Sequence, residues 1–525
     1  MRAFFCLLIL LAFFVRPASG QASPGPANGF AVKGYHIDLR IQVIRMPALK
    51  AFVQKLKNGG INTLIMEWEA TYPFEKYPVI ANQYAYTKEE VGSFMRFCDS
   101  LQLDVIPLQQ SFGHVEYILR NYRFAALRED ERDYSQVCPS EAVADRTLFT
   151  DLFKELVKTH KSPYFHIGGD ETYLLGHCEK CRKKAQEEGL SKLYIDYVRM
   201  LCEIVIGLGK KPVLWADIAL KHPEAIKLLP EGTVFIDWNY GWELNRFGNL
   251  DNLLKSGYEI WGAPSIRSGA DNYYLSQWDV HFSNLHDFIP AARRLGYKGM
   301  VLTSWATNGI FNPIFNSGFD IIDLYPRGHR YPFTGYNMLL EAFFESLQTP
   351  APLDMEAFAV RYAKETFGFA PEEARELYGA LRTSTNEIRQ NVVFQMPGLS
   401  VEQVLDSARR AARVLHRLKP LKGGREYAHL LLLADIRIQY LDAYVVENRL
   451  NSGAYNKNEY PKLAVRLKEI LLRSDGLDKR FIALNKDTFY MPELLNENRI
   501  RRYHIQLLYN RVSGHGRTLP AARSF

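Results

Sequence analysis

A chain of 525 residues, 47% apolar and 23% charged, exceeds one ordinary domain and carries enough apolar side chains for a sizeable core. Its net charge of +7 comes from basic residues scattered along the sequence, which speaks against nucleic acid as a partner. Beyond residue 20 no segment is apolar enough to cross a bilayer, so no membrane span is expected.

Residues 1–20 read as a secretory signal. Arg2 supplies the positive start, Phe4 to Val15 is almost wholly apolar, and Ala18-Ser19-Gly20 offers small residues for cleavage before Gln21. The apolar run is about 12 residues, short of the ~20 that span a membrane. The mature protein is therefore expected to be exported, periplasmic or secreted.

After the signal, Gly34 to Arg40 has the character of a strand. Pro47 to Lys57 has helical spacing and is stopped by Asn58-Gly59-Gly60. Ile61 to Met66 is a second strand, ending in Glu67-Trp68-Glu69. A helix over Glu89 to Leu101 leads to a third strand, Asp104 to Leu108. A further helix, Arg146 to Thr159, leads into Tyr164-Phe165-His166-Ile167-Gly168-Gly169-Asp170-Glu171, an apolar run ending in two glycines and two carboxylates. Helices follow over Cys178 to Glu188, Leu193 to Leu208 and Leu285 to Leu295. Strands fall at Pro212 to Asp217, Thr233 to Asp237, Tyr258 to Ala263 and Gly299 to Ser304. Eight short apolar runs separated by helices predict a (β/α)8 TIM barrel. An open doubly wound sheet is the alternative, but no strand is followed by a Gly-x-Gly-x-x-Gly phosphate turn.

Beyond Tyr336 to Leu347, the eighth barrel helix, the strand signal stops. Long amphipathic stretches at Met355 to Thr366, Pro371 to Arg389, Val401 to Leu418, Glu426 to Asn448 and Tyr460 to Leu472 predict a C-terminal α-helical region packed on the barrel. The expected division is a signal at 1–20, a barrel over 21–330 and a helical region over 331–525 that includes the last barrel helix.

Five cysteines remain after the signal: Cys98, Cys138, Cys178, Cys181 and Cys202, an odd, small number that is no disulfide framework. Cys178-x-x-Cys181 supplies two of the four ligands of a structural zinc site, and no second Cys-x-x-Cys or His-x-x-x-His follows. The expectation is no metal, with a local disulfide or two helix-borne thiols instead.

Polar and aromatic residues collect just past the strand ends: Asp38 and Arg40, Glu67 and Glu69, His114, Asp170 and Glu171, Trp215 and Asp217, Asp237, Trp238 and Tyr240, Trp261 and Trp305. Active sites of this fold sit at that end of the barrel. Acids among tryptophans, whose faces stack on sugar rings, point to glycoside cleavage. The usual scheme sets two carboxylates ~5–5.5 Å apart across the ring in retaining enzymes. Asp170 and Glu171 leave one chain end and approach the sugar from one side. Adjacent acids suit another division of labour, in which one protonates the leaving group and its neighbour holds a part of the substrate that itself attacks.

The segment His166-Ile167-Gly168-Gly169-Asp170-Glu171 resembles the signature of glycoside hydrolase family 20, the β-N-acetylhexosaminidases, and the hexosaminidase D-like branch in particular. His36 to Arg40, Glu67-Trp68-Glu69 with Tyr72 to Glu75, and Pro107 through Glu116 carry the resemblance further, over roughly residues 33–310. It implies hydrolysis of terminal GlcNAc or GalNAc from a glycan, without a cofactor, through an oxazolinium intermediate formed by the substrate's 2-acetamido group. Glu171 would be general acid and then base, protonated at rest. Asp170, ionised, would accept the acetamido N–H. Trp215, Trp238 and Trp305 match positions that wall the ring, and His114 a histidine beside the acids.

Three departures accompany it. Arg40 follows Asp38 by two residues rather than the usual three, Trp305-Ala306-Thr307 replaces Trp-Gly-Glu, and Tyr240, Tyr273 and Tyr274 compete as the tyrosine for the acetamido carbonyl, with Tyr273 preferred. The dozen or so residues between the signal and the first strand are expected to leave no room for the α+β domain that often precedes such barrels. The alternatives are a non-catalytic carbohydrate-binding protein on the same barrel, or a glycosidase whose second carboxylate is distant, such as Glu67 or Asp217.

Overall fold

Strands β1 (Val32–Asp38), β2 (Thr63–Glu67), β3 (Asp104–Leu108), β4 (Tyr164–His166), β5 (Lys211–Trp215), β6 (Val234–Trp238), β7 (Glu259–Ala263) and β8 (Gly299–Ser304) pair in sequence order, all parallel. β8 returns to β1, with Val32 opposite Gly299 and Tyr35 opposite Leu302, so the sheet closes into a barrel. The computed structural model describes residues 29–40, 43–268, 277–305, 333–383, 388–389, 392–393, 396, 398–452 and 456–514. The open-sheet alternative is excluded by this closure.

Side-chain alternation sorts each strand between two cores. Along β5, Val213 and Trp215 join Ile65, Ile106, Val234, Ile236, Trp261 and Val301 in the cluster that fills the barrel. Leu214 between them packs outward into the larger cluster shared with the helices. Those helices are α1 (Met46–Asn58), α2 (Lys88–Ser100), α3 (Ala142–Thr159), α4 (Glu179–Glu188), α5 (Leu190–Gly207), α6 (Trp278–Arg294) and α7 (Asn337–Gln348). Thr87 and Glu90 close a capping box at the start of α2, satisfying two backbone N–H groups reciprocally. A hairpin of Arg128–Asp130 and Asp133–Val137, unmarked by the sequence pattern, lies in the long connection between β3 and α3.

The C-terminal helices are α8 (Met355–Phe367), α9 (Pro371–Leu381), α10 (Val401–Arg417), α11 (Gly424–Asn451), α12 (Tyr460–Asn485) and α13 (Met491–Ser513). α9 is shorter than expected: Ile388–Arg389 pairs with Val392–Val393 as a two-stranded ladder instead of extending the helix. α12 is longer, running through Ser474 and Gly476, a stretch with turn composition. Packing overrides that composition, because Ser474 is buried, returns a hydrogen bond to Ile470 O and accepts one from Gln439 of α11. α13 was not anticipated, since buried Glu493, Glu497 and Arg501 break its apolar stripe; Arg501 pairs with Asp478 of α12 at 3.0 Å. Buried Asp442 of α11 meets Arg409, Arg466 and Arg473 at 2.7, 3.0 and 2.8 Å, tying α10, α11 and α12 together.

The helices dock on the barrel through the chain segments after β1 and after β2. Ile44 forms a bridge with fully buried Phe489, Arg45 N donates to Thr488 O at 2.8 Å, and Tyr84 stacks on Tyr490. Among the described residues no helix is long and apolar enough to cross a membrane.

Candidate active site

The chain leaves β4 through Gly168 and Gly169, both at positive φ (75° and 93°). A Cβ on Gly168 would lie 2.0 Å from Gln110 Oε1, and one on Gly113 would lie 2.5 Å from the backbone oxygen of Asp170. Only glycine permits these approaches, and they bring the loop after β3 against the loop after β4. Ser111 Oγ donates to Ile167 O at 2.6 Å and fastens the two together.

Four described non-glycine residues have positive φ: Glu69 (44°), Gln102, His114 (55°) and Glu171 (50°). Three of the four follow the C-terminal ends of β2, β3 and β4. Backbone strain of roughly 1–3 kcal/mol per residue is retained where it serves to aim a side chain. Here His114 Nε2 lies 3.2 Å from Asp170 Oδ2 and 3.4 Å from Glu171 Oε2. Tyr173 OH donates to Glu171 Oε1 at 3.1 Å, and the Glu171 backbone N–H donates to Asp217 Oδ2 at 3.1 Å.

The electrostatics follow from this geometry. Burial alone would depress the His114 imidazole, but the Asp170 and Glu171 carboxylates outweigh it and raise it well above its ordinary value, so it carries charge. Burial pushes Glu171 up, yet hydrogen bonding and charge from His114, with help from Tyr173, leave it below the ordinary carboxylate value. These contacts favour the ionised form of Glu171, against the expectation that it rests protonated. Asp217 is different: burial and the nearby Asp170 charge push it up to about 7.

The two acids are not equivalent. Asp170 is buried, with Oδ1 lacking a hydrogen-bond partner among the described residues, whereas the Glu171 side chain is 38% exposed. A buried acceptor left unpartnered is the kind of atom a ligand donor satisfies. Trp215 Nε1 is a buried donor in the same condition.

Arg40, just past β1, is buried among Asp38, Glu67 and Glu69. Its Nε lies 3.2 Å from Asp38 Oδ1, 3.5 Å from Glu67 Oε1 and 3.8 Å from Glu69 Oε1. Burial opposes its charge, but these carboxylates hold the guanidinium ionised. Burial likewise opposes ionisation of Glu67, but Arg40 and His36 reverse that and hold it well below the usual range; His36 Nε2 is 2.7 Å from its Oε2 and Gln110 Nε2 donates to its Oε1 at 3.0 Å.

The aromatic residues form one wall and its backing. Trp305 stands 5.6 Å from Trp215 and 4.5 Å from His36, with the Arg40 guanidinium 5.3 Å from its ring centre. Trp215 is fully buried against His166, at 4.6 Å. Trp238 and Tyr240 are half-buried at 5.0 Å from each other, and Trp305 Nε1 donates to Tyr240 OH at 2.6 Å. Two residues grouped with these from sequence lie elsewhere. Asp237 accepts a hydrogen bond from Tyr297 on the outer side of the barrel, at 2.7 Å. Trp261 packs against Tyr164 and bonds Glu259, near the opposite end of the barrel. Strand alternation turns Asp237 outward and register carries Trp261 downward. Tyr273 and Tyr274 lie outside the described residues, as do Ala306 and Thr307.

His36 and Gln110 were not singled out from sequence as site residues, being read only as parts of matching segments, and Tyr173 was missed. The signal for Tyr173 was its position two residues past Glu171.

The catalytic-domain profile of glycosyl hydrolase family 20 matches residues 40–294, the stretch that holds the acid pair, His114, Trp215 and Trp238. Residues 40–294, just under half of the chain, are thus a glycosyl hydrolase family 20 catalytic domain. It is 26% identical over 291 residues to hexosaminidase D of Bos taurus, covering 51% of this chain and 83% of that protein. Against hexosaminidase D of Homo sapiens it is 28% identical over 293 residues, covering 53% of this chain and 60% of the human protein. Among solved structures, the β-N-acetylhexosaminidase of Bacteroides fragilis NCTC 9343 aligns with TM-score 0.47 and 17% identity, over 64% of this chain and 70% of that one. The chitobiase of Flavobacterium johnsoniae aligns with TM-score 0.48 and 14% identity, over 93% and 73%. The matched region ends with α6, and the C-terminal helices α8 to α13 fall beyond it.

Proposed function

We propose that this protein is an exported, exo-acting β-N-acetylhexosaminidase that releases terminal GlcNAc or GalNAc with retention of configuration, the substrate's own 2-acetamido oxygen attacking C1. The observation that carries this reading is the inequality of the two adjacent acids: Asp170 buried with an unpartnered Oδ1, Glu171 partly open and set at positive φ. Asp170 Oδ1 accepts the acetamido N–H, which raises the nucleophilicity of the carbonyl oxygen and stabilises the oxazolinium charge. Glu171 protonates the glycosidic oxygen and then deprotonates the incoming water.

Glu171 must gain a proton for the first step, and substrate entry supplies the cause. A sugar seated over the acid excludes water from it, and desolvation favours the neutral carboxyl. Trp305, Trp238 and Tyr240 provide the apolar surface, and Tyr273, Tyr274 and Tyr240 are the candidate tyrosines for the acetamido carbonyl. Arg40 and His114 complete the polar side of the subsite. The export part of the reading rests on the sequence of residues 1–20.

A direct displacement by a distant carboxylate fits poorly. Glu67 and Asp217 are fully buried, the first engaged by His36 and Gln110, the second by the Glu171 backbone. The test is turnover of aryl N-acetyl-β-glucosaminide and galactosaminide. Glu171→Gln should lose 10²–10⁴-fold in kcat, the usual contribution of a general acid, and recover in part with an activated leaving group. Equal activity of wild type and variant would remove Glu171 from the reaction.

A further inference from the structure

The fold gathers Cys138, Cys178, Cys181 and Glu129 into one cluster that the reaction does not use. Spacing in the sequence offered two sulfurs and no second motif to complete a site. The missing donors come instead from upstream, out of the hairpin between β3 and α3: Glu129 from its first strand and Cys138 immediately after its second. One ligand atom from each of the four lies within 4.8 Å of the others. Cys138 Sγ is 3.6 Å from Cys178 Sγ and 3.5 Å from Cys181 Sγ.

We infer that Cys138, Cys178, Cys181 and Glu129 form a structural site for a thiophilic divalent cation of the zinc type. Four donors converging from two chain segments match a closed tetrahedral site, in which Zn–S bonds of about 2.3 Å set sulfurs about 3.8 Å apart. The second, independent observation is Glu129. It is 2% exposed; Oε1 accepts the Cys178 N–H at 2.9 Å, and Oε2 is buried with no hydrogen-bond partner among the described residues. A buried carboxylate in that position, against three sulfurs, offers a fourth donor that a cation would satisfy. A disulfide between any two of the cysteines would leave that carboxylate and a third thiol unmatched.

The local backbone suits thiolates. Cys178 caps α4, and the Cys181 N–H points to Cys178 Sγ at 3.3 Å, so both sulfurs sit in the positive field of a ten-residue helix N-terminus. Ser140 Oγ lies 3.0 Å from Cys181 Sγ. Binding converts thiols to thiolates and releases their protons to solvent, with no change of oxidation state.

The cation would staple the hairpin to α4, and the chain between Glu171 and Cys178 lies inside that staple. Leu174 N already donates to Gln136 Oε1 in the hairpin at 2.9 Å, and His177 pairs with Asp130 at 2.9 Å. The site would therefore fix the loop that carries Glu171 and Tyr173. Its presence is read from metal content and thiol chemistry, independently of any turnover.

The test is metal analysis of the full chain purified without chelator. The inference predicts about one zinc per chain, lost in Cys138→Ser and weakened in Glu129→Gln. Because a cysteine variant can fail to fold, wild-type protein is also titrated with a thiol-modifying reagent. Zinc should appear in solution in step with modification of the cluster. Exchange for Co(II) should give a sulfur-to-cobalt charge-transfer band. Background metal content in wild type, or an intact mass showing a disulfide at Cys138, overturns the inference.

Discussion

Asp217 Oδ2 accepts the backbone N–H of Glu171 at 3.1 Å, so a fully buried acid holds the backbone of a partly open one. The bond anchors the backbone of Glu171 where it stands at a left-handed φ of 50°. Burial and the charge of Asp170 push Asp217 up to about 7 from an ordinary 3.8. Between these values the folded protein keeps a proton that the unfolded chain has lost. Stability from this group is therefore full below the unfolded value and declines as pH rises toward about 7. Asp217→Asn should flatten that slope in urea unfolding measured from about pH 4 to pH 8, and should lower kcat by misaiming Glu171. An unchanged slope would mean that Asp217 ionises normally.

His114 has the opposite charge and the same direction of shift. Its stabilising contribution is complete below the ordinary histidine value and is lost as pH rises through its raised one. His114→Asn removes the cation between the acids, so Glu171 should regain a higher pKa. The limb of the kcat/KM profile that reports Glu171 should move to higher pH, with kcat reduced. A profile that keeps its position while only amplitude falls would make His114 a packing residue.

Arg40 faces three buried acids, of which Glu69 is pushed well above the ordinary value by burial and by the neighbouring Glu67 and Asp38. Arg40→Ala would leave the buried Asp38 and Glu67 without their shared cation, at a cost of about 3–5 kcal/mol in unfolding free energy. Chemical denaturation measures it directly. A cost below about 1 kcal/mol would place the carboxylates in a much wetter setting than their burial indicates.

Gly168→Ala tests the close approach of the two loops. The added Cβ meets Gln110 Oε1 at 2.0 Å, at a φ of 75°. Loss of roughly 1–3 kcal/mol and a fall in activity are expected, with the loss in activity greater than unfolding explains.

Much of this was legible in sequence because periodicity and position carry it. Eight strands alternate with helices, and Asp170 and Glu171 stand where a barrel strand ends. What was not legible depends on contacts between distant segments. Whether Asp237 or Trp238 faces the barrel mouth is set by alternation, and a single residue decides it. The ion network of Arg40 joins residues from β1 and the end of β2. Cys178-x-x-Cys181 looked incomplete because its partners Cys138 and Glu129 lie forty or more residues upstream. The charge on Glu171 depends on His114, and sequence adjacency to Asp170 pointed the other way.

The central claim is that the substrate's acetamido oxygen, oriented by Asp170, is the nucleophile. The most direct measurement is kcat/KM for aryl β-glucosaminides whose N-acetyl group carries zero, one, two and three fluorines. Each fluorine weakens the carbonyl oxygen as a nucleophile while the leaving group stays constant. Attack by the acetamido oxygen predicts a steep, progressive fall across the series. A flat series, with turnover intact, would contradict it and assign the attack to a protein carboxylate.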